Sequence, residues 1–304
     1  MPHAKRLAIL TGGTSSEHDI ALQSAAEIKH ALAARYPVSV FIFPEQQADF
    51  LTQRENFDVA LPVFHGRGGE DGTIQGFLQT LGIPFIFSGV AAHAIALNKA
   101  FTKDIVARAG LRTAAYRQYV RQDEQQIRYQ GKCVIKPLDG GSSIGVSIAH
   151  NQGEFEQGLR DAFAVSESVL IEDYLAGDEY TVAVIEDRQE LVALPVVAIR
   201  PKNAFFNLES KYNPDLVEEI CPAPIPPVLA KQLQEAALQI HRLIGARHLT
   251  RSDFIVDHDG EVWFLEINTI PGQTLNSLVP KAIRASGRKM DEVMAGWIES
   301  VAVN

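Results

Sequence analysis

Two carboxylates and an amide near the end of the chain have the chemistry of a divalent metal site. Alternating apolar and polar residues flank Asp259-Gly260, the pattern of a hairpin with a two-residue type I′ turn. That turn would place Asp253 opposite Glu266, with Asn268 two residues further along the same face. Such oxygen ligands suit Mg²⁺, and two acids facing each other otherwise repel. The same residues also fit a solvated hairpin face on which Arg251 neutralises the acids.

A glycine- and serine-rich segment, Gly140-Gly141-Ser142-Ser143, adds a candidate phosphate site. It joins two predicted strands, and Lys136 ends the first of them. Consecutive backbone N–H groups in such a loop can cradle phosphate oxygens. The segment matches neither the P-loop nor the dinucleotide-binding pattern, and a mobile turn is its alternative interpretation. Because Mg²⁺ commonly binds together with substrate phosphates, the loop and the acidic hairpin support each other.

Two further loops follow predicted strands near the N-terminus. In residues 11–17, Ser16 is a good helix N-cap and Glu17 suits the helix dipole, although Glu17 could also hold a substrate ammonium. Residues 65–72 directly follow a predicted buried strand and contain four glycines. This favours a substrate-facing loop that carries His65. The segment 171–180 fits either a hairpin or a binding edge for a purine and ribose. Residues 205–214 fit a surface loop or a lid over a site.

The elements that position these loops predict an α/β fold with α+β character in the C-terminal two-thirds. Strands and helices alternate in the first part, which indicates a parallel sheet with ligands at the carboxyl ends of its strands. We predict domains over residues 1–95, 96–175 and 176–304. Three finer predictions are a strand over 83–87, one helix over 91–109 and strands over 190–199.

Composition narrows the class of protein. A net charge of −9 without a dominant basic patch argues against a nucleic-acid or membrane-surface protein. The two cysteines, Cys133 and Cys221, have no metal-type spacing and fit a reducing compartment. The first apolar run is too short for a signal peptide or a membrane span, so we expect a cytoplasmic protein.

Six segments resemble, in chain order, the motifs of the D-alanine–D-alanine ligases of the ATP-grasp superfamily. They are GGTSSE (12–17), HGRGGEDG (65–72), KPLDGGSSIG (136–145), ESKY (209–212), RSD (251–253) and EINTIPG (266–272). The resemblance covers nearly the whole chain. It implies a three-domain ATP-grasp fold with an N-terminal parallel-sheet domain, ATP between the central and C-terminal domains, and a homodimer.

The resemblance also implies a role for each matched residue. Two Mg²⁺ ions, for which Mn²⁺ can substitute, would bind Asp253, Glu266 and Asn268. The residues implied in ATP binding contact phosphates (Lys99, Lys136, Ser143, Lys211) or the adenine and ribose (Glu172, Tyr174, Leu175, Glu179). Those implied in substrate binding and catalysis are Glu17 and His65 for the first D-alanine, Ser142 and Tyr212 in the same hydrogen-bond network, Ser277 and Leu278 for the carboxylate of the second D-alanine, and Arg251 with the Gly272 N–H for the oxyanion.

By the same resemblance, the reaction joins two D-alanine molecules for peptidoglycan precursor synthesis through an acyl phosphate. Gly140 stands where many relatives carry Glu, and Gln273 where Met is frequent. Relatives that make D-alanine–D-lactate tend to lack the tyrosine at position 212, so its presence favours the dipeptide. The alternatives are a ligase for D-lactate or D-serine, a dinucleotide-binding oxidoreductase, and a nucleotide-binding regulatory protein without catalysis.

Overall fold

The computed structural model describes residues 4–15, 17–141, 143–201 and 217–301. The strands are Leu7–Gly12 (β1), Val38–Phe43 (β2), Val59–Val63 (β3), Arg112–Thr113 (β4), Tyr116–Val120 (β5), Cys133–Pro137 (β6), Ser147–Ala149 (β7), Ser168–Asp173 (β8), Gly177–Asp187 (β9), Glu190–Ala193 (β10), Val197–Pro201 (β11), Val217–Ile220 (β12), Leu249–Asp257 (β13) and Val262–Asn268 (β14). The α-helices are His18–Leu32 (α1), Gln47–Gln53 (α2), Thr73–Thr80 (α3), Val90–Leu97 (α4), Lys99–Arg108 (α5), Gln152–Val165 (α6), Pro227–Leu243 (α7), Leu278–Ala285 (α8) and Met290–Val301 (α9). None of the helices in these ranges is long and apolar enough to cross a membrane.

The first sheet is parallel, in the order β2-β1-β3. Every residue of β1 and β3 is buried, as expected for strands covered on both faces. Apolar residues of these strands share one core with Trp297 of α9 and Leu249 of β13. The loop 12–17 and His65 follow the carboxyl ends of β1 and β3, which is the edge where such sheets bind ligands.

Two mostly antiparallel sheets form the rest of the fold. The four-stranded sheet has the order β5-β8-β6-β7, and α6 packs on it. The larger sheet has the order β12-β11-β9-β13-β14-β4, with β10 paired to β9. The first of these sheets carries Lys136 and Glu172, and the second carries Asp253 and Glu266. The predicted α/β architecture with an N-terminal parallel sheet is therefore confirmed.

Two predicted elements differ from the structure. The single helix over 91–109 is wrong, because Asn98 leaves helical geometry after α4 and its side chain caps α5 by accepting from the Phe101 N–H (3.1 Å). The strand over 83–87 is wrong, because only an isolated bridge from Ala60 to Phe85 forms there. By contrast, the strands predicted over 190–199 are confirmed as β10 and β11, which are separated around Pro195, a residue that lacks an N–H for the ladder.

The acidic hairpin has the predicted register at its acids but not the predicted turn. The Asp257 N–H donates to the Glu261 carbonyl (3.1 Å), which leaves a three-residue loop, 258–260. Only Gly260 in that loop has a positive φ (81°), so the turn is not type I′. A β-bulge between Asp253 and Phe254 then shifts the pairing by one residue. As a result Asp253 still lies opposite Glu266.

Buried histidines should make the fold sensitive to acid. Burial lowers the pKa of His65, His93 and His241 from 6.5 to about 4. Burial also lowers the pKa of His248 from 6.5 to about 3. Below pH 6.5 the histidines of the unfolded chain therefore bind protons. The same histidines in the folded chain stay neutral until the pH approaches their lowered pKa values. Glu70 has the opposite effect on stability. Burial raises its pKa from 4.5 to about 8, so between these pH values the folded chain holds a proton there that the unfolded chain releases.

We therefore predict that the free energy of unfolding falls as the pH drops from 6.5 towards 4. Each of the four histidines removes up to about 1.4 kcal/mol per pH unit within that window. Urea unfolding at pH 7.5, 6.5, 5.5 and 4.5 measures the loss. A constant free energy of unfolding between pH 6.5 and 4.5 would contradict the burial of these imidazoles.

Candidate active site

One cleft of about 960 Å³ is lined by residues of the two mostly antiparallel sheets and by residues that follow β1 and β3. Its size falls within the usual range of small-molecule sites. The predicted site residues that line it are Glu17, His65, Lys99, Lys136, Ser143, Glu172, Tyr174, Leu175, Glu179, Arg251, Asp253, Glu266, Asn268, Gly272, Ser277 and Leu278. The other three, Ser142, Lys211 and Tyr212, lie outside the described residues.

The acids on β13 and β14 form an oxygen-rich wall. Asp253 is buried, and its Oδ1 accepts from Thr181 Oγ1 on β9 at 2.5 Å. Asn268 uses its Oδ1 to accept from the Ile270 N–H (2.9 Å). Among the described residues no three His, Cys, Asp or Glu side chains cluster as a complete metal site. Two carboxylates and one amide fit Mg²⁺, which commonly completes its shell with water and substrate phosphates.

Arg251 is held at the centre of this wall. Its Nε and Nη2 donate to the two oxygens of Asp253, at 3.0 and 2.8 Å. Burial alone would lower the pKa of the guanidinium, but Asp253, Glu266 and Glu70 raise it above its ordinary value. Arg251 thus stays charged and fixed beside Asp253, where it would stabilise a developing oxyanion.

Lys103 and Lys136 both form ion pairs with Glu172. Lys136 Nζ lies 2.8 Å from Glu172 Oε2, and Lys103 Nζ lies 3.2 Å from Oε1. Lys103 is fully buried and also donates to Thr113 Oγ1 at 2.8 Å. Burial lowers the pKa of Lys103 to about 8, with Glu172 acting against that shift. The carboxylate predicted to receive adenine is therefore oriented by a charge network.

The other described residues predicted to bind the nucleotide line the same cleft. Lys99 Nζ donates to the Gly140 carbonyl (2.6 Å) and lies 3.9 Å from Glu266 Oε2. Ser143 sits in the left-handed region (φ 59°), which turns the Gly/Ser loop. At the far edge, Lys132 Nζ lies 3.4 Å from the centre of the Tyr174 ring, a cation–π contact that fixes this ring.

Glu17 is enclosed by glycines from two different loops. A Cβ added at Gly66 would lie 3.0 Å from Glu17 Oε2, and one at Gly141 would lie 3.2 Å from the same oxygen. Glycine at both positions therefore allows the backbone to approach the carboxylate closely. His65 lies nearby, with Nε2 3.2 Å from Ser24 Oγ. An ammonium group on Glu17 would be shielded from water by both loops.

The end of the cleft near α8 suits a carboxylate. Ser277 precedes α8, and Leu278 begins it, so the helix N-terminus opens into the cleft. A Cβ at Gly272 would lie 2.9 Å from Ser277 Oγ, so glycine allows the backbone at this position to lie close to the start of α8. Gln273 is buried and folds back on its own loop, donating to the Pro271 carbonyl (2.7 Å).

Sequence reasoning missed two buried charged groups of this site. Glu70 accepts from the Gly66 N–H (2.7 Å), and burial together with the charge of Glu17 raises its pKa to about 8. The glycine pattern of residues 65–72 indicates a substrate-facing loop but no role for Glu70. Lys103 could have been found from its position four residues after Lys99, which places both ammonium groups on one face of α5.

Comparison with known families gives matches over most of the chain. The family model described as D-ala D-ala ligase C-terminus matches residues 104–299, and the model described as D-ala D-ala ligase N-terminus matches residues 43–88. The curated D-alanine–D-alanine ligase of Geotalea uraniireducens is 36% identical over 302 residues, covering 98% of this chain and 96% of that protein. That of Desulfotalea psychrophila is 38% identical, covering 97% and 94%.

Solved structures agree with the sequence matches. The D-alanine–D-alanine ligase from Bacillus anthracis superposes with a TM-score of 0.84 at 28% identity, covering 99% of this chain and 98% of that chain. The same enzyme complexed with ATP gives a TM-score of 0.82 at 27% identity, with the same coverage. The VanG D-Ala:D-Ser ligase from Enterococcus faecalis gives 0.83 at 24% identity, a likeness of fold alone.

Proposed function

Because this chain belongs to the D-alanine–D-alanine ligase family, we propose that it joins two D-alanine molecules at the expense of ATP. The products are D-alanyl-D-alanine, ADP and phosphate, and the dipeptide serves peptidoglycan precursor synthesis. The observation that carries the proposal is the wall of Asp253, Glu266 and Asn268 facing the Gly/Ser loop in one cleft. This pairing of a hard-cation site with a phosphate cradle is what ATP-dependent activation of a carboxylate requires.

The nucleotide would occupy the side of the cleft between the two mostly antiparallel sheets. Lys99, Lys136 and Ser143 would contact its phosphates, together with Lys211. Glu172, Tyr174, Leu175 and Glu179 would receive the adenine and ribose. Asp253, Glu266 and Asn268 would hold two Mg²⁺ ions, or Mn²⁺ in their place, which neutralise charge on the transferred phosphoryl group.

The chemistry would proceed in two steps. The carboxylate of the first D-alanine, held through its ammonium by Glu17, attacks the γ-phosphate of ATP and releases ADP. The deprotonated amine of the second D-alanine then attacks the acyl-phosphate carbonyl, and phosphate leaves. Arg251 and the Gly272 N–H would donate to the oxyanion, and Ser277 and Leu278 would receive the second carboxylate. His65, Ser142 and Tyr212 would complete the hydrogen-bond network around the first substrate.

The acceptor is decided by side chains rather than by the fold, since ligases for different acceptors share it. By the family resemblance Tyr212 would favour the amine acceptor, and Gln273, which donates to the Pro271 carbonyl, lies in the loop beside the proposed second-substrate pocket. A ligase for D-lactate or D-serine is the alternative, and it would keep the same ATP chemistry. Competition between D-alanine, D-serine and D-lactate, with L-alanine as the stereochemical control, distinguishes these functions by the mass of the product.

We expect Tyr212→Phe to raise depsipeptide formation relative to dipeptide formation. Loss of the phenol weakens the network that favours an amine over a hydroxyl acceptor, and one hydrogen bond of this kind corresponds to roughly a fivefold change in partition. Product ratios with equal D-alanine and D-lactate measure it. Tyr129→Phe is the matched control, because that ring packs on Phe155 away from the cleft. An unchanged ratio in Tyr212→Phe would refute the role.

The cellular compartment and the assembly of the enzyme are also part of the proposal. A ligase that consumes ATP, with two cysteines and no metal-type spacing between them, fits the cytoplasm. The family resemblance also suggests a homodimer. It likewise supports the three domains proposed over residues 1–95, 96–175 and 176–304. Sedimentation at micromolar concentration tests the assembly: a monomer would contradict it.

A further inference from the structure

Arg67 and Asp139 connect two loops of the cleft that come from different sheets. Arg67 lies in the loop 65–72 after β3, and Asp139 lies in the Gly/Ser loop after β6. Arg67 Nε donates to Asp139 Oδ2 at 3.0 Å, and Arg67 Nη2 makes a second, shorter contact with the same oxygen. The guanidinium therefore bridges the loop beside the first substrate and the loop beside the phosphates.

Asp139 is a rigid partner for this contact. Its Oδ1 accepts from Ser166 Oγ at 2.6 Å, and Ser166 is buried at the end of α6. The neighbouring Leu138 N–H donates to the Ser168 carbonyl (2.9 Å). Exposed ion pairs usually contribute little, but a carboxylate already fixed on one side loses little freedom when an arginine binds it from the other.

The two loops also meet at Glu17. Gly66 lies one residue before Arg67, and Gly141 lies two residues after Asp139. Both glycines approach the Glu17 carboxylate, so the Arg67–Asp139 contact acts beside the point where the loops enclose it. Any movement that separates Arg67 from Asp139 would open the shield around Glu17 and displace the phosphate cradle at the same time.

We infer that Arg67 is a positioning residue which, through Asp139, couples the binding of the nucleotide phosphates to the binding of the amino-acid substrate at Glu17. The inference rests on the proposed function. A ligand in either loop favours the arrangement in which the loops are joined, so the second ligand binds to a site that is already assembled. By linkage, each ligand must tighten the binding of the other by the same factor.

Calorimetric titration with a non-hydrolysable ATP analogue and Mg²⁺, with and without saturating D-alanine, measures this factor directly. We expect D-alanine to tighten analogue binding in the wild-type enzyme. In Arg67→Gln and in Asp139→Asn the tightening should be about fivefold smaller. The double variant should match the single variants, because both remove the same contact. Arg67→Lys should recover part of the effect, since it keeps the charge but not the planar fork.

Arg6→Gln is the matched control. Arg6 forms a similarly exposed pair with Asp58 (3.2 Å), but that pair lies at the amino ends of β1 and β3, away from the cleft. It should leave the tightening unchanged. Both pairs lie at the surface, so each variant should fold. Melting temperatures near that of the wild type check this.

The outcomes separate the inference from the function. The same tightening by D-alanine in wild type, Arg67→Gln and Asp139→Asn would overturn the inference while leaving ligation intact. So would an absence of tightening in the wild-type enzyme when both ligands bind. A wild-type enzyme that binds the analogue but not D-alanine would defeat the proposed function, and the inference with it.

Discussion

Replacing Glu266 with glutamine is expected to lower ligation by at least about a thousandfold, because several kcal/mol of charge stabilisation on the transferred phosphoryl group would be lost. Glu266 lies directly opposite Asp253 across the hairpin, and the amide keeps its size while removing its charge. Phosphate release at increasing Mg²⁺ concentrations measures the loss. The defect should persist at every concentration, since the amide cannot supply the negative charge of the carboxylate to the metal.

Glu261→Gln is the control for this change. Glu261 belongs to the same hairpin but is exposed and pairs with Arg112 (3.0 Å) outside the cleft. Its removal should leave turnover within about twofold of wild type, as is usual for surface pairs. Near-wild-type turnover of Glu266→Gln at saturating Mg²⁺ would remove Glu266 from the metal site.

Arg251→Lys is expected to lower kcat by roughly a hundredfold, the scale seen when one oxyanion donor is removed. Lysine keeps the positive charge, so Asp253 is not left uncompensated in a buried position. It cannot reproduce the two parallel hydrogen bonds of the guanidinium to Asp253 and still present a donor to the substrate. The KM for ATP should change much less than kcat, because the donor acts on the acyl-transfer step.

The matched control for this substitution is Arg247→Lys. Arg247 precedes the same strand, but its Nη2 donates to the Phe87 carbonyl (3.3 Å), and it is not among the residues that line the cleft. Steady-state kinetics with ATP and D-alanine varied independently separate kcat from KM in both variants. A folded Arg251→Lys enzyme with wild-type kcat would show that Arg251 holds Asp253 but does not act on the substrate.

Local sequence patterns were sufficient for the placement of the site. Glycine-rich loops at the ends of predicted strands converge on one cleft, because strand ends meet at sheet edges. The pairing of Asp253 with Glu266 was also predicted, although for an incomplete reason. The hairpin turn has three residues instead of two, and the β-bulge after Asp253 restores the expected register at the acids. Hydrophobic alternation does not reveal such compensation.

Contacts between distant residues could not be predicted from spacing. The break between α4 and α5 depends on the capping side chain of Asn98, while the apolar periodicity continues through it. The Lys103–Glu172 and Arg67–Asp139 pairs join residues on different elements, which only the packed fold brings together. Glu70 has its raised pKa because of burial, a property of the whole fold rather than of its motif.

The most direct test of D-alanine ligation is incubation of the wild-type enzyme with ATP, Mg²⁺ and D-alanine, with ADP, phosphate and dipeptide quantified together. We expect one D-alanyl-D-alanine for each ADP and each phosphate, no turnover when Mg²⁺ is chelated, and none when L-alanine replaces D-alanine. Binding of ATP without release of phosphate, or phosphate release without a dipeptide of the expected mass, would contradict it.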